Sequence, residues 1–389
     1  MNLLAFISAV RSRIVGFVWL FSVSLWCGLR GSGIRVPRKF FPMRRLERKA
    51  TNQLLESEKI SALLVMIDFS GFSLSFDVAE LLASANATRA NMGLKKMHVA
   101  FISDDNDPMM DDHHATVNYT DRRYRSYIFD VAIGSAQLFD FVGDVHFFSN
   151  RAEAEHLWKR YVALGQVFPT VYTPYRPDYM SREVEGAMYG TKRLFADGNH
   201  DPARYALRPP ALEIDLVQQW LSQNVHTERI ITVTLREAPY ETERNSSIAA
   251  WQTFINTFDQ KDVTFVVLRD FYKVFEPPIL TGANVVACPF AVLDVPFRAA
   301  LYHLSHLNLL TACGPASLCF LNKNTRYLIF LPSPPGTASE IKRVRDYHGI
   351  AVGENFIASS PLQRIVWGDE EPKAIIDATR LMLADIETS

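Results

Sequence analysis

Beyond residue 60 the chain alternates between two hydrophobic rhythms. "ALLVMIDF" (62–69) is an unbroken apolar run of strand length, and "SFDVAELLASANATRANMGL" (75–94) repeats its apolar positions at helical spacing. "MHVAFIS" (97–103) predicts a second strand, a polar loop follows, and 121–140 predicts a helix. A third strand, "DVHFFS" (144–149), leads into a helix at "AEAEHLWKRYVALG" (152–165). Apolar strands separated by helices are the pattern of a mostly parallel sheet covered on both faces.

The rhythm pauses at Pro209-Pro210, which suit the first turn of a helix, "ALEIDLVQQWLSQNV". It resumes with a strand at "RIITVTLR" (229–236) and a helix at "SSIAAWQTFINTF" (246–258). Strands follow at "VTFVVL" (263–268) and "ANVVACP" (283–289), then a helix at "VPFRAALYHLSH" (295–306). "LLTACGPASLCFLNKNTRYLIF" (309–330) reads as strand, Gly-Pro turn, short helix and strand, and "KAIIDATRLMLADI" is a last helix expected to pack back on the first domain. The expected fold class is α/β: two doubly wound, Rossmann-like domains, 55–210 and 211–389, facing a cleft where the sheet ends meet. No internal repeat or low-complexity tract is evident.

The first 54 residues differ. "IVGFVWLFSVSLWCGL" (14–29) is apolar apart from small residues, but sixteen residues span roughly 24 Å against a hydrocarbon core of about 30 Å. Residues 3–10 are apolar too, with Arg11 and Arg13 between the two runs. A basic stretch, 30–49, follows and would hold the downstream domains on the cytoplasmic side and attract an anionic leaflet. The preferred reading is a membrane anchor through 3–29, spanning or in-plane. A cleaved signal peptide and a buried helix of the globular body remain open beside it.

Composition narrows the rest. At 389 residues, with 48% hydrophobic and 21% charged, the chain can bury two ordinary cores, and its formal charge of -1 argues against a nucleic-acid partner bound through overall field. The four cysteines, Cys27, Cys288, Cys313 and Cys319, lack metal-ligand spacing and read as reduced and structural.

Candidate chemistry clusters in the second domain. Arg236 lies at a strand tip, and Arg244, Asn245, Ser246 and Ser247 precede the next helix. The arginines suit a diphosphate, and Ser246 or Ser247 suits a helix cap; a surface loop pair is the plain alternative. Gly314, Pro315, Ala316 and Ser317 form a turn with little bulk, where an anion could reach the amides of residues 316–318, or an ordinary strand-to-helix turn. In the first domain, "IDFSGFSLSFD" offers Asp68, Ser70 and Gly71 at a strand tip, and Asp104 and Asp105 follow the second strand.

"ITVTLREAPYETERNSSIAAWQTFINTFDQKDVTFVVL" and "TACGPASLCFLNKNTRYLIF" resemble the nucleotide-sugar domain of GT-B glycosyltransferases of the heptosyltransferase kind, and Arg236 is similar to the phosphate-binding arginine of GT-B fucosyltransferases. One departure is Ser317, where heptosyltransferases usually carry histidine. The resemblance covers about 228–332 and, in architecture only, the first domain. It implies transfer of a hexosyl- or heptosyl-type unit from a nucleotide-sugar donor to an envelope or surface glycan or lipid-linked acceptor, without a metal or a bound cofactor. The implied donor contacts are Arg236, Arg244, Asn245, Ser246, Gly314, Pro315, Ala316 and Ser317, and the implied base is Asp68 or Asp105, with Asp104 beside it.

Two other readings stand against this one. "GNHD" (198–201), with "DVH" (144–146) upstream, is a fragment of a metal-dependent phosphoesterase site, but GDxxD and GHxH are missing, and His303 and His306 lie in an apolar helix. "DDNDPMMDDHH" (104–114) suits a divalent metal or a solvated loop. A non-catalytic binding protein on the same scaffold is the third reading. GxSxG, Walker A and HExxH are absent from the chain.

Overall fold

The computed structural model describes residues 61–69, 75–103, 130–170, 172–175, 205–259, 261–356 and 359–389. The anchor and basic stretches, Ser70, Gly71, Asp104, Asp105, the carboxylate-rich loop 104–114 and "GNHD" lie outside these residues. Among the described residues no helix is long and apolar enough to cross a membrane.

Among the described residues, four strands form the first sheet: β1 (Ala62–Asp68), β2 (Lys96–Ile102), β3 (Val142–Phe148) and β4 (Val167–Phe168). Their order is β3-β2-β1-β4, and every pairing is parallel. All seven residues of β1 are buried, as a strand covered on both faces requires. The helix Asp77–Asn91 returns the chain from β1 to β2, and Arg151–Val162 from β3 to β4. Asn150 caps the latter by accepting from Glu153 N–H at 2.8 Å.

The second sheet contains β5 (Arg229–Thr234), β6 (Val263–Leu268), β7 (Val285–Ala287), β8 (Leu307–Thr311), β9 (Tyr327–Leu331) and β10 (Gln363–Trp367). The order β10-β9-β8-β5-β6-β7, again all parallel, is that of a Rossmann sheet. The chain builds outward from β5 on one side, then crosses to start β8 on the other. The switch point therefore lies between β5 and β8. In the first sheet it lies between β1 and β4.

The last helix, Pro372–Thr388, corrects the expectation placed on it. Ile375, Met382 and Leu383 share an apolar cluster with Trp251 and Phe254 of the helix Ile248–Ile255, and Arg229 in β5 pairs with Glu387 at 2.7 Å. It closes the second sheet, because its apolar stripe matches the face that this helix leaves open.

Lys59–Ser389 fold as one compact unit. A single apolar cluster runs from Leu63, Val65 and Phe76 beside the first sheet to Leu310, Leu318 and Tyr327 of the second. Gly134, among the helical residues 130–136 of the first half, faces Val295 so closely that an added Cβ would lie 2.8 Å from that side chain. Two parallel α/β sheets are thus joined by a shared core.

Candidate active site

Doubly wound sheets bind ligands beyond the carboxyl ends of their strands at the switch point. In the second sheet the segments there are 235–247, after β5, and 312–317, after β8. They touch directly. Ser246 Oγ lies 2.5 Å from Thr311 Oγ1, and Arg244 Nη2 donates to the carbonyl of Ala312 at 3.3 Å. The two loops singled out in the sequence thus meet at one place.

Their residues do different work there. Arg236 is buried, and its guanidinium donates to the carbonyls of Glu241 and Tyr240, both at 2.9 Å, and to Asn245 Oδ1. Burial, then the Arg244 charge, pulls its pKa below the usual guanidinium range. Asn245 also accepts from Ala238 N–H at 3.1 Å and donates to Ala238 O at 2.9 Å. Arg236 and Asn245 therefore shape the loop from within. Arg244 bridges the two loops instead: it pairs with Glu241 at 2.5 Å as well as with Ala312 O, and its buried Nε finds no partner among the described residues.

The Gly314 turn answers to a side chain. A Cβ on Gly314 would lie 2.9 Å from Cδ2 of Phe76, which precedes the helix Asp77–Asn91 of the first sheet. Glycine is needed because the two halves touch here. Two of the three amides expected to be open are engaged: Ala316 N–H donates to Cys313 O at 3.0 Å, and Ser317 N–H to the carbonyls of Gly314 and Pro315. Ser317 itself is buried, and its Oγ finds no partner among the described residues.

Neither Ser246 nor Ser247 caps the helix Ile248–Ile255 through its side chain. Ser246 Oγ accepts from Arg236 N–H at 2.8 Å, and the anion at the helix mouth is Glu370, which sequence reasoning missed. Its carboxylate accepts from Ser247 N–H at 2.8 Å, Trp251 Nε1–H at 2.9 Å and the Thr311 hydroxyl. Burial raises its pKa while these donors act against the rise. A phosphate is therefore not the partner of this helix end. The only signal in the sequence was a buried-type tryptophan one turn into the helix, in need of an acceptor.

Cys313 lies in the combined field of Arg298, Asp270, Arg236 and Arg244, yet burial pushes its thiol up to about 11. The Asp270 carboxyl is raised by burial, against the amides of Tyr272 and Glu237 and the charges of Arg236 and Arg298. Cys288, Cys313 and Cys319 are free thiols.

In the first sheet Asp68 ends β1, 1% exposed. Arg151 forks onto it at 2.7 and 3.3 Å, and Tyr172 OH donates to it at 3.2 Å. That clasp ties three segments at this sheet's switch point, a structural task for the carboxylate. A second carboxylate was not singled out by its sequence context. Glu80 lies one helical turn after Phe76, is 5% exposed, and its Oε2 finds no partner among the described residues. Burial, with Asp77 adding, raises its pKa well above the usual carboxylate value. Its helix packs on Ser317–Phe320 of the second half. His98, Asp144 and His146 form a separate group whose ligand atoms lie within 4.8 Å of one another, on the body of β2 and β3. Burial lowers the His146 pKa, so its imidazole is neutral near pH 7.

Fold and site together define a two-sheet α/β protein with an arginine-lined switch point. Among solved structures, the glycosyl transferase family 9 protein from Veillonella parvula superposes with a TM-score of 0.48 at 9% identity, over 83% of this chain and 97% of that one. The E. coli ADP-heptose lps heptosyltransferase II gives 0.41 at 11% identity, over 84% and 99%. S. aureus MnaA with UDP gives 0.38 at 9% identity, over 83% and 88%. At these scores the likeness is loose, and no chemistry follows from it. No family model matches the chain, and no curated protein matches its sequence.

Proposed function

We propose that this chain is a GT-B glycosyltransferase that moves a sugar from a nucleotide-sugar donor to an envelope or surface glycan or a lipid-linked acceptor. The observation that carries the reading is the meeting of the β5 and β8 loops at the second sheet's switch point, where Arg244 keeps an unsatisfied Nε. Arg244 contacts the donor diphosphate, Arg236 and Asn245 hold its loop in shape, and Ser317 Oγ supplies a second donor. Cationic and hydroxyl donors stabilise the departing diphosphate without a metal.

Glu80 is the general base. Its helix packs on Ser317–Phe320 beside the Gly314 turn, its Oε2 keeps a lone pair without a partner among the described residues, and burial raises its pKa. The acceptor hydroxyl attacks the anomeric carbon and passes its proton to the Glu80 carboxylate. The bond from that carbon to the diphosphate oxygen breaks, and its electron pair leaves with the nucleoside diphosphate. The apolar run 14–29 and the basic stretch 30–49 keep the enzyme at a membrane with both domains on the cytoplasmic side, where lipid-linked acceptors are within reach.

Calorimetry with UDP-, GDP-, ADP- and CMP-sugars, with and without chelator, tests this. One of them should bind whether or not chelator is present. Arg244→Ala should weaken that binding by roughly 1.5–3 kcal/mol, the scale of a charged hydrogen bond. Glu80→Gln should leave binding intact and slow transfer by roughly 10²- to 10⁴-fold. Binding of no nucleotide sugar, or equal binding by Arg244→Ala, would remove the donor site.

A further inference from the structure

The first sheet carries a group that glycosyl transfer does not use. His98 is the third residue of β2, and Asp144 and His146 are the third and fifth of edge strand β3. Strand positions lie roughly 3.3 Å apart, so His98 and Asp144 are about 13 Å back from the carboxyl edge. They stand apart from the donor crevice.

The register between β2 and β3 shifts between Met97 and Val99, a bulge of the kind that re-aims a side chain. Gly143 stands opposite; a Cβ there would come within 3.1 Å of His98 Cε1, so glycine gives the imidazole its room. His98 Nδ1 accepts from Asp144 N–H at 3.0 Å, so this nitrogen carries a lone pair and not a proton. Asp144 Oδ2 lies 3.4 Å from the same nitrogen. Two acceptors thus face each other with no hydrogen between them. His146 completes the group, and its buried Nε2 finds no partner among the described residues.

We propose that His98, Asp144 and His146 bind one divalent transition-metal ion, zinc by preference, as a structural clip between β3 and β2. With metal–ligand bonds of about 2.05 Å, a tetrahedral site has ligand atoms about 3.3–3.4 Å apart, the spacing of His98 Nδ1 and Asp144 Oδ2. Two imidazoles and one carboxylate form a borderline-soft set that selects zinc over magnesium or calcium. His98 is fully buried while the Asp144 side chain is 44% exposed, so the ion enters from the Asp144 side and keeps a water there as fourth ligand. On loading, the ion takes the Nδ1 lone pair from the Asp144 amide, which turns to solvent. The gain falls on an edge strand, where pairing is weakest.

Cobalt(II) titration of the metal-stripped full-length chain tests this, followed by competition with zinc. The expected result is one ion per chain, with the strong visible bands of tetrahedral cobalt, bleached by zinc. Asp144→Asn alters an exposed side chain and keeps the fold; it should weaken binding by roughly 10- to 100-fold or more. His146→Gln should do the same, and zinc should raise the melting temperature of the parent chain but of neither variant. Absence of binding would overturn the site. So would binding that survives both substitutions, which would belong to other histidines such as His113, His114 or His200.

Discussion

At the scale of single residues, chemistry and architecture divide the polar groups of the switch points between them. Arg236, Asn245 and Asp68 have the right composition for catalysis, but their hydrogen bonds are spent on holding loops. Arg244, Ser317 and Glu80 each retain a buried polar atom without a partner among the described residues. A sequence reveals residue type and distance along the chain, so it could mark Arg236 and Arg244 alike. It could not show that one guanidinium bonds within its own loop while the other bridges to the second loop and keeps a nitrogen unpartnered among the described residues. Gly314 was legible as a residue requiring close approach, while the approaching group, Phe76, lies far away in sequence. Gly314→Ala should therefore destabilise the fold by about 1–3 kcal/mol through overpacking. Denaturation of Gly314→Ala, Phe76→Leu and the double variant should show coupling, with Phe76→Leu recovering part of the loss; strict additivity would mean that the contact is not the cause.

At the scale of elements, the apolar runs fixed their own fates. Fully buried strands such as β1 and β6 announced themselves within a residue or two, because burial on both faces leaves an unbroken hydrophobic signature. β4, two residues long, and β10, half-buried at the edge, lack that signature and escaped notice. The helix Ile248–Ile255 was legible, but its capping anion arrives from Glu370, 123 residues beyond Ser247. Hydroxyls of Ser246 and Thr311 connect that carboxylate to Arg236, so one network stiffens both sides of the switch point. Glu370→Ala strands the Ser247 amide, the Trp251 indole N–H and the Thr311 hydroxyl. The expected cost is about 1–3 kcal/mol in urea denaturation. A change below about 0.5 kcal/mol, the range of inert surface substitutions, would mean that water replaces the carboxylate without loss.

At the scale of the whole molecule, two sheets share one core, and three carboxylates lie where their halves meet. Asp130 lies in the helical residues 130–136 of the first half, while Asp294 and Glu213 belong to helices of the second. Desolvation by neighbouring atoms, with Asp294 adding, pushes the Asp130 carboxyl up to about 6 although the residue keeps an exposed surface, and Glu213 and Asp294 are raised by burial as well. Between about pH 4 and 6 the folded chain holds a proton on Asp130 that the unfolded chain has released, so this group's contribution to stability falls as pH rises through that window. Asp294→Asn keeps the helix cap onto Phe297 N–H and removes the repulsion. Melting curves should show the variant more stable above pH 6, by roughly 0.5–1 kcal/mol given the exposure of Asp130, and equal to the parent near pH 4. The same difference at both pH values would assign the effect to something other than charge. Two alternating α/β halves were legible in the chain. Their shared core was not, because periodicity describes each helix face and says nothing about which partner covers it.

A crystal structure of the chain with the nucleoside diphosphate that binds it tightest addresses the donor site directly. The diphosphate should lie between the loops after β5 and β8, within hydrogen-bonding reach of Arg244 and on the side of the Gly314 turn that Phe76 leaves open. A diphosphate bound anywhere else, at the first sheet's Asp68 for instance, would contradict the account.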